Sequence, residues 1–235
     1  MFVQTNPRPN LTRSGVGVVK SSTWDVGTPE RQRAAVEVIA KAWESRDWPH
    51  EGLLSYSVCT GEDGRSLLHY SQWTDAGAYL TFVREGRDDR NAEIDAGVPG
   101  IERLALRTYE LYRSTPLGEG AGRVPGSVVI VDVEFDGPDP ERQRDWTDSV
   151  FEALGTDPHP HPGGISGHFH VSTDGTRVLN YAEWESAEAH IEALSGAGQG
   201  VGSPTAQWQK VWDYPGVTGG GVQRYAPALS FSAGA

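Results

Sequence analysis

Over residues 16–24 and again over residues 128–135, apolar side chains alternate or run over strand length, and each run stops at a Gly/Pro signal. The period then changes. In TPERQRAAVEVIAKAW the apolar positions Val36, Ile39, Ala40 and Trp43 recur at helical spacing, with Thr28 as N-cap, Pro29 at the first helical position and Glu30 in the first turn. Asp139, Pro140 and Glu141 open a second such helix. Two β-like runs follow each helix, residues 53–60 and 66–73 in one case and residues 165–171 and 177–184 in the other. They are joined by Asp63-Gly64 and Asp174-Gly175, a strong hairpin signal. The stretches TDAGAYLTFVRE and ESAEAHIEAL predict further helices, and residues 103–112 and 224–231 predict closing strands.

The order β-α-β-β-α-β therefore occurs twice, and the residues repeat with it. PERQR stands at residues 29–33 and at residues 140–144, 111 positions apart. At that offset Asp25 meets Asp136, Pro49-His50 meets Pro160-His161, Tyr70 meets Tyr181 and Trp73 meets Trp184. The register changes only later, where GIER at Gly100 and GVQR at Gly221 imply about ten extra residues in the Gly-rich GAGQGVGSP region. The chain reads as a tandem duplication. Its expected fold class is α+β, with two fused ferredoxin-like units. One face of such a four-stranded sheet lies under two helices and the other needs a cover, so the two sheets are expected to face each other as a pseudo-dimeric α/β barrel. The expected organisation is a flexible tail at 1–14, a first repeat at 15–114, a linker at 115–126 and a second repeat at 127–235. PERQR itself reads as helix capping with arginines on a solvated face.

Charge narrows the partners. The 235 residues include 32 acidic and 20 basic side chains, for a formal net charge of −12, so nucleic acid and anionic membrane surfaces are not expected partners. No apolar run approaches the roughly 20 residues of a membrane-spanning helix. With one cysteine, Cys59, and no secretory leader pattern, the expected compartment is the cytoplasm.

The Asp-Gly turns also predict which side chains share a sheet face. Pairing Glu62 with Arg65 sets Val58 with His69, Tyr56 with Ser71 and Leu54 with Trp73. In the second copy it sets Phe169 with Asn180, Gly167 with Ala182 and Ile165 with Trp184. Phe169, Ile165, Leu54, Val58 and Tyr56 thus form the expected bed for a small molecule, because such sites are mostly apolar with few polar groups. The opposite face carries His168, His170, Tyr181 and Glu183, whose spacing is not a zinc signature. No Gly-rich nucleotide fingerprint follows a strand. No metal and no cofactor are expected, and Cys59 reads as an inert strand residue.

The segments LLHYSQWTDAGAYLTF and VLNYAEWESAEAHIEAL resemble the strand-to-helix signature of the antibiotic biosynthesis monooxygenase family, within the dimeric α/β-barrel superfamily. The resemblance implies a cofactor-independent monooxygenase that oxidises an aromatic polyketide-type, anthrone-like substrate with molecular oxygen in a pocket between sheet and helices. It also implies three site positions: a Trp at the end of the third strand, an Asn four residues before it and a Tyr six residues after it. The Trp falls on Trp73 and Trp184. The Asn position holds His69 in the first copy and Asn180 in the second; the Tyr position holds Tyr79 and His190. Heme-degrading relatives use a His ten residues after the Trp, where this chain has Val83 and Leu194, so heme is not expected.

In such a site an amide or imidazole donor would hold the developing enolate oxygen, and the Trp would orient a flat substrate. His190 is expected as a base, and the second pocket, with Asn180 and His190, is expected to be the more active, closed by the extra loop from Gly196 onward. Two other readings remain open: a cofactor-free polyketide cyclase or isomerase, and a non-catalytic protein that holds an aromatic metabolite. The expected partners are a small aromatic substrate and oxygen, the pseudo-dimer is complete within one chain, and a further homodimer is left open.

Overall fold

The structure, a computed structural model, describes residues 1–117, 122–156, 162–195 and 202–234. The extra Gly-rich loop from Gly196, together with His159 and His161, lies outside the described residues or at their edge. The chain divides into two compact units, Met1–Tyr109 with Tyr225–Ala235, and Glu110–Arg224.

In the first unit a short strand β1 (Val3–Thr5) precedes β2 (Val18–Asp25), α1 (Pro29–Glu44), β3 (Leu53–Gly61), β4 (Ser66–Trp73), α2 (Ala76–Glu85), α3 (Arg87–Gly97) and the first part of β5 (Glu102–Pro116). The second unit takes the rest of β5, then β6 (Ser127–Phe135), α4 (Pro140–Leu154), β7 (Gly164–Ser172), β8 (Arg177–Trp184), α5 (Ala187–Ser195), α6 (Ala206–Trp212) and the start of β9 (Val217–Ala233). Strand neighbours run β1-β9-β3-β4-β2-β5 in the first unit and β5-β7-β8-β6-β9 in the second. Within each repeat the last strand lies beside the first, the third beyond it and the second outermost, which is the ferredoxin-like α+β order.

Sequence and structure agree where local chemistry governs. Thr28 Oγ1 accepts from the Arg31 N–H, and Asp139 accepts from Glu141 and Arg142, each with a proline at the helix start. Gly64 and Gly175 take left-handed φ values of +70° and +77° in the hairpin turns, a conformation glycine adopts without steric cost.

Three expectations are revised. Residues 1–14 are not a loose tail: β1 pairs with β9, Leu11 is buried, and the Asn10 carbonyl accepts from Gln72 Nε2 at 2.9 Å. Each unit carries an unpredicted helix, α3 packed against α1 and α6 packed against α4. The repeated PERQR does more than cap. Gln32 Nε2 donates to the carbonyls of Gly61 and Ser66 at 3.0 and 2.9 Å, and Gln143 does the same at the other hairpin through Ser172 and Arg177. Arg31 and Arg142 bond loop carbonyls, Pro99 O at 2.6 Å and Gly137 O at 2.6 Å. A buried amide that satisfies hairpin carbonyls is a fold requirement, which explains why both copies keep it.

No helix among the described residues is long and apolar enough to cross a membrane.

Candidate functional site

Alternation along three neighbouring strands brings Lys20, Ser22 and Trp24 of β2, Leu53 and Tyr56 of β3, and His69, Ser71 and Trp73 of β4 to one wall of a cavity in the first unit. Helices form the other wall, with Trp43 of α1, Tyr79 and Phe82 of α2 and Arg87, Arg90 and Ile94 of α3. Its volume of about 320 Å³ falls in the range of small-molecule sites, roughly 300–1,000 Å³.

The hairpin register is as read from the turns up to one point. Val58 pairs with His69, Tyr56 with Ser71, Phe169 with Asn180 and Gly167 with Ala182. A bulge between Leu53 and Ser55 then places Leu53, not Leu54, opposite Trp73, and the same irregularity places Gly164, not Ile165, opposite Trp184. One extra residue inverts the facing of the strand positions beyond it, so Leu53 lines the cavity and Leu54 does not. Val58 is fully buried in the core and is not part of the lining.

His69 is 5% exposed, with its ring 3.9 Å from that of Trp24. Its Nδ1 lies 2.7 Å from the Tyr56 hydroxyl, while Nε2 is buried with no protein partner. Burial, reinforced by the positive charge of Arg103, pushes the His69 pKa down to about 3. His170, in the second unit, is held down at about 4, again by burial, although the carbonyls of Leu179 and His168 oppose the shift. Both imidazoles are neutral when folded but take up a proton near pH 6.5 when unfolded, so the unfolded chain binds more protons on acidification. Stability from these two groups is therefore complete above about pH 6.5 and is lost as pH falls toward about 4 and then about 3. Urea midpoints measured across that window should fall, and less so in His69→Gln. An imidazole signal of His69 that titrates near 6.5 in the folded protein would contradict the assignment.

Trp73 meets Tyr79 edge-on, with centroids 5.3 Å apart at 83°, and Trp184 meets His190 in the same way at 4.9 Å and 70°. The pair of positions six residues apart is thus brought together in both copies. The surroundings differ. Trp73 Nε1 donates to Ser71 Oγ at 2.9 Å, whereas the position equivalent to Ser71 is Ala182. In register, Lys20, Ser22 and Tyr56 are replaced by Val131, Val133 and Gly167. Val131 and Ala182 pack with Val129, Trp184 and Ala193, and Val133 packs with Phe135, Trp146 and Phe169. Phe169 and Ile165 are buried, the former edge-on to Phe151 at 5.2 Å. Asn180 is half-buried, and its Oδ1 is buried without a partner.

His190 Nδ1 accepts from Arg224 Nε at 3.0 Å, which puts the ring proton on Nε2 and makes the imidazole a donor there. On the opposite face, His168 lies 2.9 Å from both Ser114 Oγ and Ser166 Oγ, and Ser166 donates to Glu183 at 2.7 Å. Among the described residues no group of three or more His, Cys, Asp or Glu is placed to hold a metal ion.

The sequence reading missed Lys20, Trp24, Trp43 and all of α3 as cavity residues. Lys20 had a signal, since a cation opposite Val131 in the other repeat is not demanded by the fold. The signals for α3 were slight: Asp88 and Asp89 in its first turn and the single buried aliphatic Ile94.

No family model matches the chain. A 55-residue stretch, 23% of the chain, is 40% identical to tetracenomycin-F1 monooxygenase of Streptomyces glaucescens, and that stretch spans about half of the relative's own length, 48%. Among solved structures, an anthrone oxidase-like protein superposes with a TM-score of 0.69 at 18% identity, over 93% of this chain and 94% of that one. A candidate monooxygenase of Lactobacillus acidophilus superposes with a TM-score of 0.56 at 10% identity, over 92% and 97%. By fold along nearly its whole length, and by sequence over one stretch, the chain resembles the antibiotic biosynthesis monooxygenases, written twice in a single polypeptide.

Proposed function

We propose that the protein is a cofactor-independent monooxygenase of an aromatic polyketide-type, anthrone-like substrate, and that its chemistry runs in the first unit. The observation that carries this reading is the cavity lined by His69, Trp73 and Tyr79 together. The relative named for tetracenomycin F1 oxidation supports the substrate class. Weight shifts from the second copy to the first because Lys20, Ser22, Tyr56 and Ser71 are matched there by Val131, Val133, Gly167 and Ala182, of which the two valines and the alanine pack in apolar clusters.

Burial keeps the Tyr56 phenol protonated; with its O–H given to His69 Nδ1, 2.7 Å away, the ring proton sits on Nε2. A neutral imidazole N–H at the cavity wall is suited to an enolate oxygen, while a pKa of about 3 makes His69 a poor general base. With its oxygen held, a hydroxyanthrone loses its benzylic proton more readily. The proton passes to solvent, the carbanion gives one electron to oxygen, and recombination of the radical with superoxide forms a peroxide anion that takes a proton back from solvent; the resulting hydroperoxide loses water to form the quinone. One anthrone and one O2 thus yield one quinone and one water. Trp73 supplies a flat surface for orientation, and Tyr79, kept protonated by burial, is the phenol beside it.

Dithranol incubated with the purified protein in air should give quinone absorbance with one O2 consumed per turnover, and none under argon. Turnover without oxygen would favour a cyclase or isomerase, and binding without turnover a carrier.

A further inference from the structure

In a protein of net charge −12, the cavity of the first unit is lined by four cationic side chains and no Asp or Glu. Two of the four are ion-paired: Arg103 pairs with Asp95 at 2.9 Å and lies over the Trp24 ring, and Arg87 pairs with Asp88 at 3.1 Å. Arg90 spreads its guanidinium over the backbone carbonyls of Asp47 and Gly86, at 2.8 and 3.3 Å, and the Trp43 ring. Lys20 has a single oxygen acceptor. It is half-buried, donates to Thr108 Oγ1 at 2.6 Å, and stands 4.2 Å above the Tyr79 ring, and among the described residues no carboxylate lies within ion-pair distance of it. An ammonium has three N–H donors, and burying one without a counter-charge is costly. The second copy, with Val131 at this position, shows that the fold itself does not require a lysine there.

We propose that Lys20 is a specificity-determining residue that receives an anionic oxygen of the ligand, so the substrate is a flat polycyclic acid rather than a neutral aromatic. The inference rests on the aromatic-cavity reading above and narrows its substrate class. A ligand anion would supply the missing counter-charge beside Tyr79, and the arginines around the cavity would add a favourable field. The shared chemistry is an ionised oxygen, carried either as a carboxylate or as a phenolate.

Fluorescence of the cavity tryptophans reports binding of three probes: anthracene-9-carboxylate, its uncharged analogue anthracene-9-methanol, and 2-hydroxyanthracene titrated through its own ionisation. The wild-type protein should bind the carboxylate about tenfold more tightly than the alcohol. Lys20→Met should abolish that preference, read as the ratio of the two affinities, and Lys20→Arg should retain most of it. Selectivity for hydroxyanthracene that appears only above its ionisation identifies a phenolate source, and selectivity confined to the carboxylate identifies a carboxylate source. Equal affinity for acid and alcohol in the wild type, or a preference that survives in Lys20→Met, would overturn the role of Lys20 while leaving the aromatic cavity intact. Failure of every probe to bind would overturn both readings. Lys20→Val, which copies the second repeat, guards against a folding artefact, and it should behave as Lys20→Met does.

Discussion

Replacement of His69 by alanine is expected to lower turnover of dithranol by on the order of a hundredfold, the usual cost of removing one donor to a developing oxyanion. Asn180→Ala should change it by less than about threefold. The contrast follows from place rather than residue type. His69 lines a cavity shared with Trp73 and Tyr79 and has a buried Nε2 without a protein partner, whereas Asn180 lies opposite Phe169 and Val131, two residues that pack in an apolar cluster. His69→Asn places an amide donor where the family resemblance puts one, and it should recover much of the activity; His69→Phe, similar in bulk but without a donor, should not. A merely structural role for the imidazole predicts the reverse order, because phenylalanine fills the site better than asparagine does. Tyr56→Phe releases the tautomer constraint at Nδ1 and should lower kcat with little change in KM. Equal losses in His69→Ala and Asn180→Ala would mean that both copies carry the chemistry.

The largest stability effect is expected at Gln143. Its amide, 1% exposed, donates to Ser172 O at 3.2 Å, Ser172 Oγ at 2.9 Å and Arg177 O at 2.5 Å, tying the first turn of α4 to the end of the β7–β8 hairpin. Gln143→Ala leaves those acceptors buried, at roughly 1–3 kcal/mol for an unsatisfied group, so a loss of about 3 kcal/mol in unfolding free energy is expected. Gln32→Ala, which removes two such bonds in the first unit, should cost about 2 kcal/mol. Arg33→Ala, three residues from its exposed partner Glu30 and outside the clamp, should stay within about 0.5 kcal/mol. Urea unfolding followed by circular dichroism measures all three. A Gln143→Ala midpoint indistinguishable from that of Arg33→Ala would show that water replaces the clamp without cost.

These two experiments divide along the line between local and long-range information. Element order, helix caps, the Asp-Gly hairpins and most of the strand register were legible in the sequence because spacings of two, 3.6 and a two-residue turn act over short distances, and the duplication let each copy check the other. The facing pairs of Tyr56 with Ser71 and of Phe169 with Asn180 came from turn geometry alone. Features beyond one hairpin did not. The bulge that substitutes Leu53 for Leu54, the docking of β1 on β9 and the packing of α3 and α6 against α1 and α4 depend on partners distant in the chain.

The sequence also placed Trp73, Tyr79, His69 and their counterparts at matching positions, but it valued them by residue identity, so Asn180 and His190 appeared the better equipped pair. Tertiary structure decided which positions face space and which face packing. In the first unit Lys20, Ser22, Tyr56 and Ser71 line a cavity; at the same register the second unit has Val131, Val133, Gly167 and Ala182, its His190 accepts from Arg224, and its Trp184 packs with Val129, Ala182 and Ala193. The repeated pattern of apolar and polar positions determined that two copies of one fold would form, because that pattern acts through local geometry. Whether a given copy keeps an open cavity depends on the summed volume and polarity of side chains contributed by four strands and three helices, and those meet only when the chain has folded.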